Sequence, residues 1–356
     1  ADLRLSYGGD ASFDELASEA EAEEISTSTA VRLGRGKYLD DSRYMTLAGF
    51  VFGELLLGRR LGFTSGVRLA GFRAEIAADP DGATPPFEQS WLLPVASAGA
   101  RVALSRSLAL VANLDQGFRA PNLDDLTARS SEGPGFQIGN PNLEAETSWT
   151  AEVGAKVEHR FVRAQLFGFR TAIRDFIDRE ATSCPIELEA QCGDAANIYR
   201  LVNSDEARIV GLELAAQSFA SFAKWHGSIF GNLTWTRGTR ELGDGSSAPM
   251  SKIPPVSGRL GVGAGVKRGF AEIIGTWALA QDRLSPADVT DPRILDGGTD
   301  GYLAVDMRVG AQLGRSLRAT VTVQNVTDTS YRVHGSGVDG AGFGVIGTLS
   351  GLLSAP

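Results

Sequence analysis

The sequence contains no run of about 18 uninterrupted apolar residues, which excludes a helical membrane protein. Its 34 basic residues are outnumbered by 43 acidic ones, and a net charge of −9 argues against nucleic acid as a partner. Histidine is scarce, with only His159, His226 and His334. None of them lies at metal-ligand spacing from another histidine or a cysteine. The chain also lacks a nucleophile elbow and a phosphate-binding loop. We therefore expect no metal site, no cofactor, no catalytic residues and no enzymatic activity.

The first residues show neither the charged region nor the apolar run of a signal peptide. The only two cysteines, Cys184 and Cys192, lie eight residues apart in the polar segment SCPIELEAQCGD. This short spacing favours a local disulfide, which implies an oxidising compartment. Two free thiols are the alternative.

Glycine, by contrast, is abundant, with 43 residues, and apolar and polar residues alternate over long stretches. In SWTAEVGAKVE, residues 148–158, the apolar row contains Trp149, Val153 and Val157. The segment YLAVDMRVGAQL, residues 302–313, alternates in the same way. Period two is typical of strands with one apolar and one polar face. Both a soluble β-sandwich and a transmembrane β-barrel produce this pattern, since a barrel turns its apolar side chains to lipid.

Three features favour the barrel. Several alternating segments exceed the usual strand of about 5–6 residues and suit the about 9–11 residues of a tilted membrane crossing. Short connections alternate with long polar ones along the chain, as in outer-membrane barrels. In KWHGSIFGNLTWTR, Trp225 and Trp235 share one face, and their separation of ten residues would span roughly 23 Å of membrane depth in a strand tilted by about 45°, close to the apolar band of about 25 Å that aromatic girdles flank.

The sequence therefore predicts an all-β fold, an antiparallel transmembrane β-barrel with about fourteen strands, in a single domain over residues 1–356. The predicted strands lie near 3–8, 44–57, 61–76, 94–105, 107–118, 148–158, 161–178, 198–218, 224–237, 254–267, 269–281, 301–313, 317–327 and 343–353. The acidic segment DASFDELASEAEAEE, after the first of them, is compatible with a short helix.

Several motifs resemble those of one family, the TonB-dependent outer-membrane receptors. GFRAPNLDDL at 117–126 and GNPNLEAETSWTAEVG at 139–154 resemble the motifs that flank an external loop of these receptors. NSDEARIVGLELAAQ at 203–217, IPPVSGRLGVG at 253–263 and VQNVTDTSYRVHGSG at 323–337 resemble later family motifs in the expected order. The motif residues to which we assign structural roles by this resemblance are Phe118, Arg119, Pro121, Asn140, Pro141, Glu146, Asn203, Gly211, Glu213, Asn325, Asp328 and Tyr331.

The resemblance implies a barrel of about twenty-two strands with an N-terminal plug. It also implies the Gram-negative outer membrane, contact with its lipid, and coupling to the TonB complex through the plug. Such receptors import scarce, bulky ligands such as ferric siderophores, cobalamin or oligosaccharides. The 356-residue sequence shows about fourteen predicted strands, and we identify neither a plug nor a TonB-box-like segment in it. We therefore expect the sequence to be the C-terminal portion of such a barrel. The final GLLSAP also lacks the terminal aromatic residue that such barrels usually carry.

Four loop residues are candidates for ligand contact, although local turn roles are the favoured interpretation: Arg119, Asn122, Asp124 and Asp125. Four residues on the predicted lumen face would contact a plug or water, or pair with one another across the wall: Glu213, Asp306, Arg308 and Arg318. Two other functions stay open. A passive porin of about fourteen strands would conduct ions without a plug, and a soluble β-sandwich binding module would need no detergent.

Overall fold

Fourteen long strands run back and forth in one sheet in the computed structural model. The structure describes residues 1–24, 26, 29–32, 35–80, 84–132, 135–193, 195–242, 245–314 and 316–351. Numbered in chain order with the short strands, the long strands are β1 Asp2–Leu16, β4 Ser42–Leu57, β5 Leu61–Ile76, β6 Phe87–Ala103, β7 Leu108–Arg119, β10 Glu146–His159, β11 Val162–Ala181, β12 Ile198–Phe222, β13 Trp225–Glu241, β15 Ser257–Val266, β16 Gly269–Ala278, β17 Tyr302–Leu313, β18 Leu317–Gln324 and β19 Gly344–Gly351. The fourteen predicted strands are thus confirmed.

Short elements fill the connections at one end of the sheet. The short strands are β2 Glu21–Glu24, β3 Thr29–Arg32, β8 Arg129–Glu132, β9 Gly135–Ile138 and β14 Ser247–Pro249. The helical turns are α1 Leu123–Thr127, a 3-10 turn Ile186–Leu188, α2 Glu189–Cys192 and α3 Pro286–Val289. No helix in the described ranges is long and apolar enough to cross a membrane.

The first strand and the acidic segment after it differ from the prediction. The predicted strand ends near residue 8, whereas β1 continues to Leu16 and pairs with β4 along its whole length. The acidic residues Glu21–Glu24 form a hairpin strand with Thr29–Arg32 instead of a helix. The compatibility with a helix was misleading because strand pairing, with β4 up to Leu16 and with β3 at Glu21–Glu24, overrides the weak local preference of this segment.

Each long strand is antiparallel to its sequence neighbour among the long strands, and tight turns alternate with long connections. The short turns lie at 58–60, 104–107, 160–161, 223–224, 267–268 and 314–316, and all of the long connections emerge at the opposite end of the sheet. We call that opposite end the long-loop end. This confirms the predicted asymmetry, and it brings residues from distant parts of the sequence together at one rim.

The strand register separates an apolar face from a polar one. Residues directly opposite each other in paired strands share a face, so Leu212 lies on the same face as Gly168 and Trp235. We call this the outer face. Large exposed apolar side chains occupy it from strand to strand, among them Leu47, Val51, Leu92, Val153, Leu214, Ile229, Val262, Met307 and Val309. An apolar belt of this extent is unsuited to water and argues against the soluble β-sandwich.

The opposite, inner face is polar, and it is tied together by ion pairs between neighbouring strands. Arg308 donates to Glu272 at 2.6 Å, and Arg68 pairs with Asp10 at 2.8 Å. The Arg318 guanidinium lies 5.0 Å from the ring centre of Phe270. Side chains on this face therefore interact across the wall, which was the favoured interpretation of the charged row.

Phenylalanine rings on the inner face lie flat over glycines of the adjacent strand. A Cβ added to Gly154 would be 2.3 Å from the Phe167 ring, and one added to Gly211 would be 2.4 Å from the Phe169 ring. The same pairing joins Gly261 to Phe230, Gly310 to Phe270 and Gly8 to Phe50. These glycines are needed for close packing, since each ring occupies the space of a missing side chain.

The two end strands of the sheet have one neighbour each. β1 pairs with β4, and β19 pairs with β18. In the described part of the chain no other long strand is registered against either of them, and β1 and β19 do not pair with each other. The fourteen strands therefore form a wall with two open edges.

Candidate ligand-binding face at the long-loop end

The motif GFRAPNLDDL bridges the end of β7 and a helix of a single turn. Asn122 is the N-cap of α1 and accepts a hydrogen bond from the Asp125 backbone N–H at 2.9 Å. The Asp125 carboxylate accepts one in return from the Asn122 backbone N–H at 3.0 Å, which completes a capping box. Pro121 is fully buried, and its carbonyl accepts a hydrogen bond from the Tyr44 hydroxyl at 3.0 Å.

Arg119 closes this turn rather than facing solvent with a free guanidinium. One of its terminal nitrogens donates to both carboxylate oxygens of Asp125, at 2.7 and 2.8 Å, and the other lies 3.7 Å from Glu146. Asp124 pairs with Lys37 at 2.8 Å. The four ligand-contact candidates thus lie together, but three of them are occupied by the cap and its ion pair, and the fourth by a lysine.

The second motif, GNPNLEAETSW, is held by its own asparagine. The Asn140 side chain donates to the carbonyl of Leu201 at 2.8 Å and accepts from the Asn142 N–H at 3.0 Å. The Pro141 carbonyl accepts a hydrogen bond from Gln89. The segment is therefore pinned to β6 on one side and to β12 on the other.

Glu146 and Asn203 connect the return strand to its neighbours. Glu146 accepts a hydrogen bond from the Ile177 N–H at 2.6 Å. The Asn203 amide donates to the carbonyls of Glu144, at 3.0 Å, and Asp175, at 2.7 Å, and accepts from the Glu144 N–H at 2.9 Å. Each of these side chains substitutes for ladder hydrogen bonds where the strands leave the regular sheet.

The near-terminal motif forms a similar knot. Asn325, with a φ of 44°, donates to the carbonyls of Thr329 at 2.9 Å and Ala341 at 3.0 Å. Asp328, with a φ of 49°, accepts from the Phe343 N–H at 2.8 Å. The Tyr331 ring stacks against Tyr302 with centroids 4.5 Å apart. Asparagine and aspartate tolerate this left-handed backbone better than most residues, which explains their presence here.

Three further motif residues lie in the strands themselves. Phe118 packs edge-on against Phe72, with ring centroids 5.5 Å apart, at the long-loop end of β7. Gly211 receives the Phe169 ring, as described above. Glu213 is exposed on the inner face, opposite Phe167 and Thr234. None of the three contributes to the loops.

Cys184 and Cys192 are joined by a disulfide in the loop between β11 and β12. Around it lies a small apolar cluster of Phe136, Ile138, Leu188 and Cys192. β9 also pairs with the start of β12, in parallel. The disulfide loop and the loop after β7 therefore form one body at the long-loop end.

A buried pair of arginines connects two more loops, those before β4 and after β5, to the loop after β7. Arg35, at 3.2 Å, and Arg129 both contact the same carboxylate oxygen of Asp79, and all three side chains are buried. Arg35 also donates to the Thr127 carbonyl at 2.8 Å. Next to this cluster, an apolar core that includes Leu39, Trp91 and Leu126 packs between the loops and the long-loop ends of the strands.

A cavity of about 680 Å³ opens among these pinned loops, between the ends of β11, β12 and β13 and helix α3. Its lining includes Arg179, Tyr199, Arg240 and Thr290. Arg240 is paired with Asp178, Arg179 donates to Gln137 at 2.7 Å, and the Tyr199 and Thr290 hydroxyls are 2.8 Å apart. A cavity lined by guanidinium and hydroxyl groups suits a polar or anionic ligand.

Of the residues that line this cavity, sequence reasoning singled out Asn203 but not the arginines or the hydroxyl-bearing residues. They are spread over more than 100 positions and become neighbours only because alternate strand ends meet at one rim. No group of three or more His, Cys, Asp and Glu residues in the described ranges is arranged to hold a metal ion.

We expect Asp125→Ala to loosen the loop after β7 much more than Asp124→Ala does. The first change removes the partner of Arg119 and half of the capping box, at a cost of about 2 kcal/mol, which is roughly 30-fold in local opening. The second removes a half-exposed ion pair with a value below about 1 kcal/mol. Hydrogen exchange of the α1 amides measures both. Equal exchange in the two variants would contradict the structural role of Asp125.

We expect the last long loop to open more readily as the pH falls below about 6.5, the ordinary pKa of histidine. Burial lowers the pKa of His334, while Asp288 and Asp291 act in the opposite direction. The Nδ1 atom of His334 forms a hydrogen bond with the Thr299 hydroxyl, and the two atoms are 2.9 Å apart. Because the open loop binds the proton more readily than the closed one, acidification favours opening. Hydrogen exchange of residues 325–343 at two pH values measures this, and His334→Gln should abolish the difference.

The described geometry agrees with comparisons to known proteins. A family model described as "TonB dependent receptor-like, beta-barrel" matches residues 2–326. The chain therefore belongs to the TonB-dependent receptor β-barrel family, whose members reside in the Gram-negative outer membrane.

Its similarity to individual proteins is partial. It is 24% identical over 246 residues to the hemoglobin-haptoglobin utilization protein B of Neisseria meningitidis serogroup C, covering 64% of this chain and 30% of that protein. It is 32% identical over 143 residues to the vitamin B12 transporter BtuB of Vibrio vulnificus strain YJ016, covering 40% of this chain and 19% of that protein. The chain thus spans less than a third of these relatives.

Solved structures show the same fold at low sequence identity. The copper transporter OprC superposes with a TM-score of 0.80 at 16% identity, over 99% of this chain and 54% of that one. A structure of the Serratia marcescens hemophore receptor HasR, in complex with its hemophore HasA and heme, gives 0.64 at 16% identity, over 98% of this chain and 59% of that one.

Proposed function

We propose that this chain is the C-terminal barrel portion of an outer-membrane receptor that takes up a scarce, bulky ligand with energy from the TonB complex. The observation that carries this proposal is the combination of an apolar outer face, a polar inner face and a set of cross-pinned loops around a cavity at one end. A ligand that docks at the loops would lie directly above the inner face, along which it would pass.

The open edges of the sheet define what the rest of the receptor supplies. β1 and β19 each present an unpaired row of backbone groups, and lipid offers no hydrogen bonds to satisfy them. About eight further strands would complete a barrel of about twenty-two, and the lumen of such a barrel holds a plug. The plug would contact TonB, and inner-face side chains such as Glu213 would line its surface.

The residues that line the cavity favour one class of ligand, and uptake experiments test it directly. Two arginines and the hydroxyl groups of Tyr199, Ser204 and Thr290 line it beside one acidic residue, Glu180, which favours a polar ligand that carries oxygen acceptors. Ferric siderophores, cobalamin and oligosaccharides all meet this requirement. The similar proteins differ in cargo, since BtuB is named for vitamin B12 and HasR was solved with its hemophore and heme.

Uptake by cells that express the gene product containing this chain tests the proposal. The probes are radiolabelled cyanocobalamin, a ferric catecholate labelled with radioactive iron, and labelled oligosaccharides. We expect accumulation of at least one probe, and we expect it to cease in cells that lack TonB while surface binding persists. Accumulation that is independent of TonB and of the membrane potential would contradict energised uptake and favour the passive porin.

A further inference from the structure

Four arginines form a basic patch on the lipid-facing side of the sheet. In the register of β11 with β12, Arg170 is opposite Val210, Ala172 is opposite Arg208, and Arg174 is opposite Glu206. In the register of β12 with β13, Val210 is opposite Arg237. Because Leu212 and Trp235 are opposite each other two residues further along, all four arginines share the outer face with the apolar belt. All four side chains are exposed.

The patch lies at the upper boundary of the belt. Trp235 marks the aromatic level on β13, and Arg237 is two residues nearer the long-loop end, about 5 Å higher for a strand tilted by about 45°. Trp149 of β10 lies on the same face beside the patch, since it is opposite Ala172 of β11, which is itself opposite Arg208. Side chains at this height meet the headgroups of the outer leaflet rather than its acyl chains.

The protein neutralises this patch only in part. Arg208 binds Glu206 at 2.9 Å and lies 3.9 Å from Glu241. Arg170, Arg174 and Arg237 form no hydrogen bond or ion pair with any described residue. Four positive charges are therefore balanced by two negative ones on a surface that faces lipid.

The outer face of β4 and β5 also carries arginines near the long-loop end, but their surroundings are different. Arg43 and Arg73 also lie on the outer face near the long-loop end, in register with Met45 of the apolar belt and its neighbours. Arg43 binds Glu15 at 2.9 Å, and Arg73 binds Glu75 at 2.9 Å and Glu88 at 2.8 Å. Outer-face arginines near the long-loop end can thus be paired with carboxylates of the protein. In the basic patch of β11–β13, only Arg208 is paired in this way.

We propose that Arg170, Arg174, Arg208 and Arg237 bind the phosphate groups of an anionic lipid in the outer leaflet. Guanidinium groups match phosphate oxygens in pairs, and their apolar stems can extend along the belt while the charged ends reach the headgroup. Arginines near a membrane surface attract anionic headgroups, each by about a factor of five in affinity. A phosphorylated glycolipid bound at this site would contact the outer face of β11, β12 and β13.

Native mass spectrometry of the detergent-purified gene product tests this inference through retained lipid. Three forms are compared: the unaltered protein, the double variant Arg170→Gln/Arg237→Gln, and the double variant Arg43→Gln/Arg73→Gln. Each double variant removes two exposed outer-face arginines from near the long-loop end. The added lipids are bisphosphorylated lipid A and lipid A from which both phosphates have been removed. Resistance to unfolding in sodium dodecyl sulphate at room temperature verifies that all three forms are folded.

We expect the unaltered protein to retain bisphosphorylated lipid A and not the dephosphorylated form. The first double variant should bind it roughly 25-fold more weakly, and the second should bind it normally. Inorganic phosphate at the same concentration should not displace the lipid, which distinguishes a headgroup site from a free-anion site. Equal retention of the two lipids, or equal losses in the two double variants, would overturn the proposal. If the first double variant does not fold, the comparison of the two lipids on the unaltered protein still decides.

Discussion

Replacing Gly211 with alanine should lower the free energy of unfolding of the barrel by about 1–3 kcal/mol, the range for overpacking in a tightly packed site. An added Cβ would be 2.4 Å from the Phe169 ring and 2.9 Å from the carbonyl oxygen of Trp235. Both neighbours are fixed, because the ring lies between two strands and the carbonyl belongs to the backbone ladder. The strand pair must therefore move apart or the ring must leave its rotamer.

Gly168→Ala is the matched control on the adjacent strand. A Cβ at Gly168 would meet its nearest atom at 3.9 Å, an ordinary contact, and would face lipid. We expect no loss of stability there. Urea unfolding of the gene product in lipid vesicles, followed by tryptophan fluorescence, measures both variants. The packing role of the inner-face glycines is wrong if the two substitutions have equal effects.

The second large effect concerns the open edges. We expect the 356-residue chain alone to form no stable ion-conducting pore in a planar bilayer, whereas the complete gene product should fold and resist unfolding in detergent. The fifteen residues of β1 and the eight of β19 have one strand neighbour each, and each unsatisfied backbone group in lipid costs several kcal/mol. Closing β1 directly onto β19 is the requirement of the fourteen-strand porin.

This experiment separates the receptor from the porin. Steady single-channel conductance from the isolated chain would mean that β1 and β19 pair with each other, and the passive porin would then be the better interpretation. As a control, cysteines placed on the two edges, in place of Ser6 of β1 and Thr348 of β19, should remain uncrosslinked within the complete gene product. A disulfide between them would again favour the porin.

Much of the wall was predictable from the sequence because the bilayer imposes a strict period of two. Strands such as β5, β11, β16 and β17 begin within one residue of their predicted positions, and the apolar rows identify the outer face. The pattern weakens where a strand leaves the membrane. β1 continues eight residues beyond its predicted end, and β13 continues to Glu241 rather than ending at 237, since pairing there is set by neighbouring strands instead of lipid.

The loop face was less predictable, for a related reason. The turn formed by Arg119, Asn122 and Asp125 is local, so its capping role could be anticipated from the spacing of Asn122 and Asp125. The cavity is not local: Arg179, Arg240 and Thr290 become neighbours only after three loops are placed on one rim. The basic patch needs both the strand register and the identity of the lipid-facing side, and neither is given by the arginines themselves.

Spin labels on successive residues of β17, in the outer membrane, test the central claim most directly. The label is placed in turn at Val305, Asp306, Met307, Arg308 and Val309, and its accessibility to oxygen and to a water-soluble nickel complex is measured. We expect the odd-numbered positions to be accessible to oxygen and protected from nickel, because they face lipid, and the even-numbered positions to show the reverse or full protection by a plug. Nickel access to the odd-numbered positions would contradict a membrane-embedded receptor barrel.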